Sequence, residues 1–335
     1  MEPGVSQGPL APATTPSTGV PPSPPTGATP STVATYTSIQ TASYSGATLL
    51  CFLLAAHPEI ASVGELDGLI PAEDPEAYRC SCGELVRACG FWRAVAAEME
   101  ARGEPFDPGR FETRFEFAGP HLARRLRAGS LGSGTANAAR DHVFQALPWE
   151  RARWQQLTRR NVALVRSIGM VTGKRVLVDS SKDGLRLAAF RDLTSVPVSA
   201  IHLVRDARGV IASRLRRGVR ISAAEGARQW QRLNRRVEAN LSTLSAGSTV
   251  RIRYEDLCAD PSGTVAAVHR ALGVPTVPLP ADFRATAQHI VGNPMRLTDT
   301  RSIAVDETWR RSLTADQVAT VEAVAGATLE RYGYR

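Results

Sequence analysis

Lysine is almost absent from this 335-residue chain: of 40 basic residues only Lys174 and Lys182 are lysine, and the other 38 are arginine. Beside the abundant alanine, that imbalance matches GC-rich coding, so arginine richness alone identifies no ligand. Long apolar runs are also missing. The longest, Leu49 to Ala56, has eight residues, far short of the roughly 18 a spanning helix needs. Residues 1–30 hold neither Lys nor Arg and have no apolar centre, so a secretory signal is not expected. Cysteine is scarce and odd in number: Cys51, Cys80, Cys82, Cys89 and Cys258. Irregular spacing argues against a disulfide framework and for a reducing cytoplasm. Between Glu2 and Glu59 no charged residue occurs, which is unusual for a folded surface.

What is present bounds the class. Apolar residues make up 43% and charged residues 21% of the chain, which excludes wholesale disorder. The net charge of +8 excludes an acidic buffering protein and points to an anionic ligand. Residues 1–32, with nine prolines in the first thirty, read as a low-complexity tail. Residues 33–335 read as one domain without internal repeats. A polar strand over Val33–Ala42 leads into a buried helix, Gly46–Ala56. Helices are expected at 84–101, 120–128 and 150–171. Strands at Arg175–Asp179 and Val198–Val204 precede helices at 206–217 and 222–246. The strand Thr249–Tyr254, a helix from Pro261 capped by Asp260, and a last helix near Thr314–Arg331 complete the series. Short apolar strands alternating with helices predict an α/β domain with a central parallel sheet flanked by helices.

Three segments follow expected strands, where open parallel sheets hold their ligands. Ser43-Tyr44-Ser45-Gly46-Ala47-Thr48 is a small-residue turn opening an apolar helix, a nest of backbone amides suited to phosphate or sulfate. A nucleotide triphosphatase loop would carry Lys where Ala47 stands. Asp179-Ser180-Ser181-Lys182-Asp183 places one of the two lysines at a strand-to-helix turn, where a compact point charge differs from a guanidinium fork. Arg205 ends a strand and Ser213 lies two turns into the next helix, so the pair can grip a terminal phosphate. Residues 205–236 hold ten Arg against Asp206 and Glu225.

In this order the three segments resemble the sulfotransferases that use 3′-phosphoadenosine-5′-phosphosulfate, over about residues 36–335. The resemblance implies a single α/β domain of the P-loop nucleoside-triphosphate-hydrolase-like type. It implies a 5′-phosphosulfate loop at Ser43–Thr48 and a 3′-phosphate motif at Arg205 and Ser213. His57-Pro58-Glu59-Ile60, leading to Gly64-Glu65, looks like the stretch supplying the catalytic carboxylate, and Ser181-Lys182-Asp183 like the one supplying the catalytic lysine. Arg253-Tyr254-Glu255-Asp256-Leu257 resembles the late strand-to-helix junction, taken as structural. His289 through Arg296 to Arg301 is expected as a C-terminal flap over the nucleotide, with Trp309 packing nearby. Tyr44 departs from the pattern, which has Lys or Arg there.

The implied acceptor is a hydroxyl of a small molecule, glycan or peptide. No nucleic acid and no membrane span are expected, and the oligomeric state is not legible. A phosphotransferase on the same architecture and a polyanion binder using the arginine stripe remain as alternatives. Cys80, Cys82 and Cys89 could ligate zinc, but the sequence offers no clear fourth ligand, so no metal is expected.

Overall fold

The computed structural model describes residues 35–68, 77–115, 147–285, 288–298 and 301–334. The expected tail over residues 1–32, the domain boundary at 33 and the helix expected at 120–128 lie outside these residues. In chain order the elements are β1 (Thr35–Thr41), α1 (Ala47–Ala55), β2 (Ile60–Gly64), α2 (Gly90–Glu100), α3 (Pro148–Thr172), β3 (Val176–Asp179), α4 (Gly184–Leu193) and β4 (Val198–Val204). They continue with α5 (Ala207–Arg216), α6 (Ala223–Leu241), β5 (Thr249–Arg253), α7 (Tyr254–Ala259), α8 (Pro261–Ala271), a 3₁₀ turn (Pro294–Leu297), α9 (Trp309–Ser312) and α10 (Ala315–Arg331).

The five strands form one parallel sheet in the order β2-β3-β1-β4-β5. Both faces are covered, because alternate strand residues feed different cores. Ile39, Val176, Val178 and Ile201 pack with α1, α7 and α8. Tyr36, Ala61, Leu177 and Phe190 pack with α2 and α3. A third cluster ties α5 to α6 and α10 through Ile211, Trp230 and Leu329. The expected single α/β domain with a parallel sheet flanked by helices is what forms.

The described part of the segment without charges, residues 35–58, supplies the sheet's central strand and the helix that follows it. β1 is the central strand, and three of its buried polar side chains find partners: Thr41 Oγ1 donates to Leu203 O at 2.5 Å and Gln40 Nε2 to Ser38 Oγ at 2.7 Å, while the Thr37 hydroxyl is buried without one. α1 buries Leu49 through Leu54 without a polar face, as a helix packed on all sides must.

Three expectations are corrected. β2 was not expected as a strand, and its five residues are all buried. α2 begins at Gly90 rather than residue 84, because 84–89 form the cysteine-bearing turns that precede it. α6 ends at Leu241, short of 246. The chain turns to opposite sides of β1, toward β3 on one side and β4 on the other, which makes the carboxyl end of β1 a switch point where such sheets bind ligands.

Candidate active site

The carboxyl ends of β1, β2, β3 and β4 each lead into a residue singled out from the sequence. After β1, Tyr44 adopts a left-handed φ of 67° and Gly46 one of 89°. Gly46 cannot be replaced without collision, since a Cβ there would stand 2.5 Å from the Tyr254 ring. α1 then starts with no side-chain cap on its first amides, leaving N–H donors and the positive end of the helix dipole available. Ser45 Oγ beside them is buried and has no hydrogen-bond partner. A buried hydroxyl and a row of uncapped amides form a cradle for a tetrahedral anion. Thr48, one turn on, is half-buried.

Glu65 follows β2 and Lys182 follows β3. Lys182 Nζ donates to Glu65 Oε1 at 2.5 Å, with both side chains about four-fifths buried. One buried carboxylate holds the two loops. Asp179 Oδ1 accepts from Leu66 N at 3.3 Å and from Ser181 N at 2.8 Å, the neighbours of Glu65 and Lys182. Its other oxygen accepts from Tyr36 Oη at 2.8 Å and pairs with Arg186 Nε at 2.6 Å. A buried ion pair of this kind contributes little net stability, but removing one partner strands the other, so it fixes the positions of both loops.

Ser43, Tyr44, Glu65, Lys182, Arg296 and Leu297 line a cleft of about 340 Å³ together with residues 292–294. Arg296 is anchored rather than free: its guanidinium donates to Arg79 O at 2.8 Å and Gly292 O at 2.6 Å and stacks on the Tyr78 ring at 4.4 Å. The segment carrying it is laid against β2. Glu65 N donates to Val291 O at 3.1 Å and Val291 N to Val63 O at 2.9 Å. Gly64 (φ 90°) and Gly292 (φ 111°) permit this approach, since a Cβ on Gly64 would lie 2.0 Å from Val291 O and one on Gly292 2.7 Å from Glu65 Cγ.

Arg205 and Ser213 do meet, at 3.3 Å. The guanidinium also donates to Tyr44 O at 2.7 Å, pairs with Asp306 Oδ2 at 3.0 Å and lies over the Tyr254 ring at 4.5 Å. Arg216, whose Nη2 donates to Ser213 Oγ at 3.2 Å, joins the same Asp306 carboxylate at 2.8 Å. Burial opposes the charge on Asp306, yet hydrogen bonds from Thr308, Arg216 and Arg205 hold its carboxyl well below the usual range.

Of the residues singled out from sequence, Ser43, Tyr44, Glu65, Lys182 and Arg296 share the cleft, and Ser45 to Thr48 stand beside it. Arg301 does not join them; it is largely exposed and pairs with Asp282. Trp309 packs in the α5–α6–α10 core, with the guanidinia of Arg208 and Arg310 over its ring at 4.4 and 4.6 Å. Sequence reasoning missed Asp306 and Arg216, and it missed Arg217, whose guanidinium lies 5.2 Å over the Tyr44 ring. Tyr254, taken as structural from the sequence, packs its ring against both Gly46 and Arg205. The lysine contrast was half informative: Lys174 is structural, donating to the carbonyls of Ala55, His57 and Ile60 at 3.2, 2.9 and 2.9 Å, and burial lowers its pKa to about 8. The arginine stripe is broken up by internal pairs, with Arg208 on Asp206 and Glu322, and Arg228 and Arg232 on Glu225. The expected lack of a fourth partner for the three thiols is also corrected, since His289 meets Cys80, Cys82 and Cys89.

A family model described as the sulfotransferase family matches residues 198–278, the stretch from β4 to just beyond α8. No curated protein sequence matches the chain. Among solved structures, the sulfotransferase domain of the Synechococcus PCC 7002 olefin synthase superposes with a TM-score of 0.52 at 21% identity, covering 88% of this chain and 96% of that one. The sulfotransferase domain from the curacin biosynthetic pathway gives 0.48 at 18% identity, over 92% and 99%. A Mycobacterium tuberculosis H37Rv sulfotransferase gives 0.41 at 18%, over 90% and 76%. The first of these likenesses establishes the fold, the P-loop-like sulfotransferase fold.

Proposed function

From a chain with a sulfotransferase-family segment at residues 198–278 and the sulfotransferase fold around it, we propose an enzyme that transfers a sulfuryl group from 3′-phosphoadenosine-5′-phosphosulfate to an acceptor hydroxyl. The observation that carries this reading is the Glu65–Lys182 pair at 2.5 Å, set in the cleft beside the uncapped start of α1. A base and a cation in contact, next to an anion cradle, are the parts that in-line transfer between oxygens requires.

In this reading Glu65 takes the acceptor's proton as its oxygen attacks sulfur. The bond from sulfur to the donor's phosphate oxygen breaks, and the electron pair leaves with that phosphate. Lys182, the amides of Gly46, Ala47 and Thr48, and the hydroxyls of Ser45 and Thr48 support the negative charge that gathers there. Ser43 and Tyr44 border the same anion. Arg205 and Ser213 hold the 3′-phosphate, and Arg296 borders the cleft beside Glu65 and Lys182. General-base assistance of this kind contributes about 10²–10⁴-fold. The acceptor class is a small-molecule, glycan or peptide hydroxyl, and no helix among the described residues is long and apolar enough to cross a membrane. The five cysteines are free thiols, which fits a cytoplasmic site of action.

The test is calorimetric. 3′-Phosphoadenosine-5′-phosphate should bind at least about tenfold tighter than 5′-AMP, a difference of about 1.4 kcal/mol, and ATP with magnesium should gain nothing over AMP. Equal affinity for the two adenosine monophosphates defeats the donor assignment.

A further inference from the structure

Away from the transferred group, four soft ligands converge. Cys80, Cys82 and Cys89 come from the turns before α2, and His289 from the segment that runs beside β2. Their ligand atoms all lie within 4.8 Å of one another. Cys82 Sγ is 3.7 Å from Cys89 Sγ, and His289 Nδ1 is 3.3 Å from Cys89 Sγ and 3.8 Å from Cys80 Sγ. A tetrahedral zinc ion with Zn–S bonds of about 2.3 Å and Zn–N bonds of about 2.0–2.1 Å needs S···S edges of about 3.8 Å and S···N edges of about 3.5 Å. The three separations just given come within a few tenths of an ångström of these edges, and the remaining three are no longer than 4.8 Å.

The backbone is arranged to hold them there. Gly83, at φ 91°, closes a tight turn in which its N–H donates to Cys80 O at 2.9 Å and Cys80 N donates to Glu84 O at 2.9 Å. Ser81, between two of the cysteines, clasps both neighbours of the histidine. Its hydroxyl donates to Gln288 O at 2.6 Å and accepts from Ile290 N at 2.8 Å, while its N–H donates to Ile290 O at 3.1 Å. The Phe91 ring stacks on His289 at 4.7 Å and 5°. Cys80 and Cys89 are buried, and Cys82 faces outward.

We propose that Cys80, Cys82, Cys89 and His289 bind one divalent zinc-class cation as a structural Cys₃His site. Binding displaces the protons of three thiols, and the neutral imidazole completes four protein ligands with no open position, so the ion stabilises and does not catalyse. Its role follows from what it joins. The His289 segment continues into Val291 and Gly292, which bond and pack against Glu65, so the ion staples the wall of the cleft to the turns before α2. This inference stands whether or not the cleft transfers sulfuryl groups.

The experiment uses the full chain expressed with zinc and desalted. Elemental analysis should find about one zinc per chain, and cobalt exchange should give the intense visible bands and thiolate-to-metal charge transfer of a tetrahedral thiolate site. Cys82→Ser, on the exposed ligand, and His289→Gln should each lower retained metal by about tenfold or more and alter the cobalt spectrum. Substoichiometric zinc with a cobalt spectrum lacking thiolate charge transfer in the folded wild type overturns the proposal. So does an intact mass showing a Cys82–Cys89 disulfide in freshly purified protein. The wild-type cobalt spectrum decides the matter even where a variant fails to fold.

Discussion

Two non-glycine residues in the cleft, Tyr44 and Lys182, occupy the left-handed region at φ 67° and 62°. Such a conformation costs roughly 1–2 kcal/mol per residue and is retained where surrounding structure dictates it. For Lys182 the return is the aim of its ammonium at Glu65. Glu65→Gln and Lys182→Met are each expected to cut turnover at least about a hundredfold, while affinity for 3′-phosphoadenosine-5′-phosphate, followed by calorimetry, changes less. Near-normal turnover in both removes the roles given to them. At the Arg205 cluster, Asp306 shares the guanidinium that a 3′-phosphate would need. Asp306→Asn should therefore tighten binding of 3′-phosphoadenosine-5′-phosphate, and Arg205→Ala should weaken it by about 1.5–3 kcal/mol, the value of a charged hydrogen bond. A weaker Asp306→Asn would show that the carboxylate orients the arginines rather than competing for them.

At the scale of elements, what the sequence revealed depends on how local each signal is. Lys182, Arg205 and the Ser43–Thr48 turn each sit directly after a strand legible in the sequence, so strand order and spacing pointed to them, whereas Glu65 follows a strand that was not expected and was singled out only through the family resemblance. Val33–Ala42 read as a weak strand because Thr37, Ser38, Gln40 and Thr41 look solvent-facing, yet they are buried and lie in the sheet's central strand. β2 escaped notice because Ile60–Gly64 has only five residues, two of them Ala61 and Ser62. Asp306, Arg217 and His289 reach their partners across long stretches of chain, and no periodicity announces such contacts. The pairing of β2 with residue 291 makes a prediction of its own: Gly64→Ala, whose methyl would meet Val291 O at 2.0 Å, should lower the melting temperature and displace Glu65. Activity should fall with it. An unchanged melting temperature would mean that the segment can move aside freely.

Across the whole molecule, buried histidines contribute to the acid response. Burial, and then the nearby His57, lowers the His269 pKa to about 4, and neither ring nitrogen has a hydrogen-bond partner. Burial lowers His202 as well. The unfolded chain, with imidazoles near pKa 6.5, takes up protons that the folded chain refuses. Stability from these groups is thus complete above pH about 6.5 and is lost as pH falls toward 4. Thermal melts across that window should show the decline, and His269→Leu should flatten it. A slope unchanged in His269→Leu would place the acid sensitivity elsewhere.

The position of β1 also governs when the fold can form. Its hydrogen-bonded neighbours are β3, at Val176–Asp179, and β4, at Val198–Val204, so the first strand described has neither of these partners until synthesis has passed Val176. Until then the uncharged, leucine-rich α1 has no sheet to cover it. Pairings so distant in sequence carry a large loop-closure cost and slow folding. A nascent chain halted before residue 198 would expose this apolar segment, and such halted chains should bind chaperones and aggregate where the full-length chain does not.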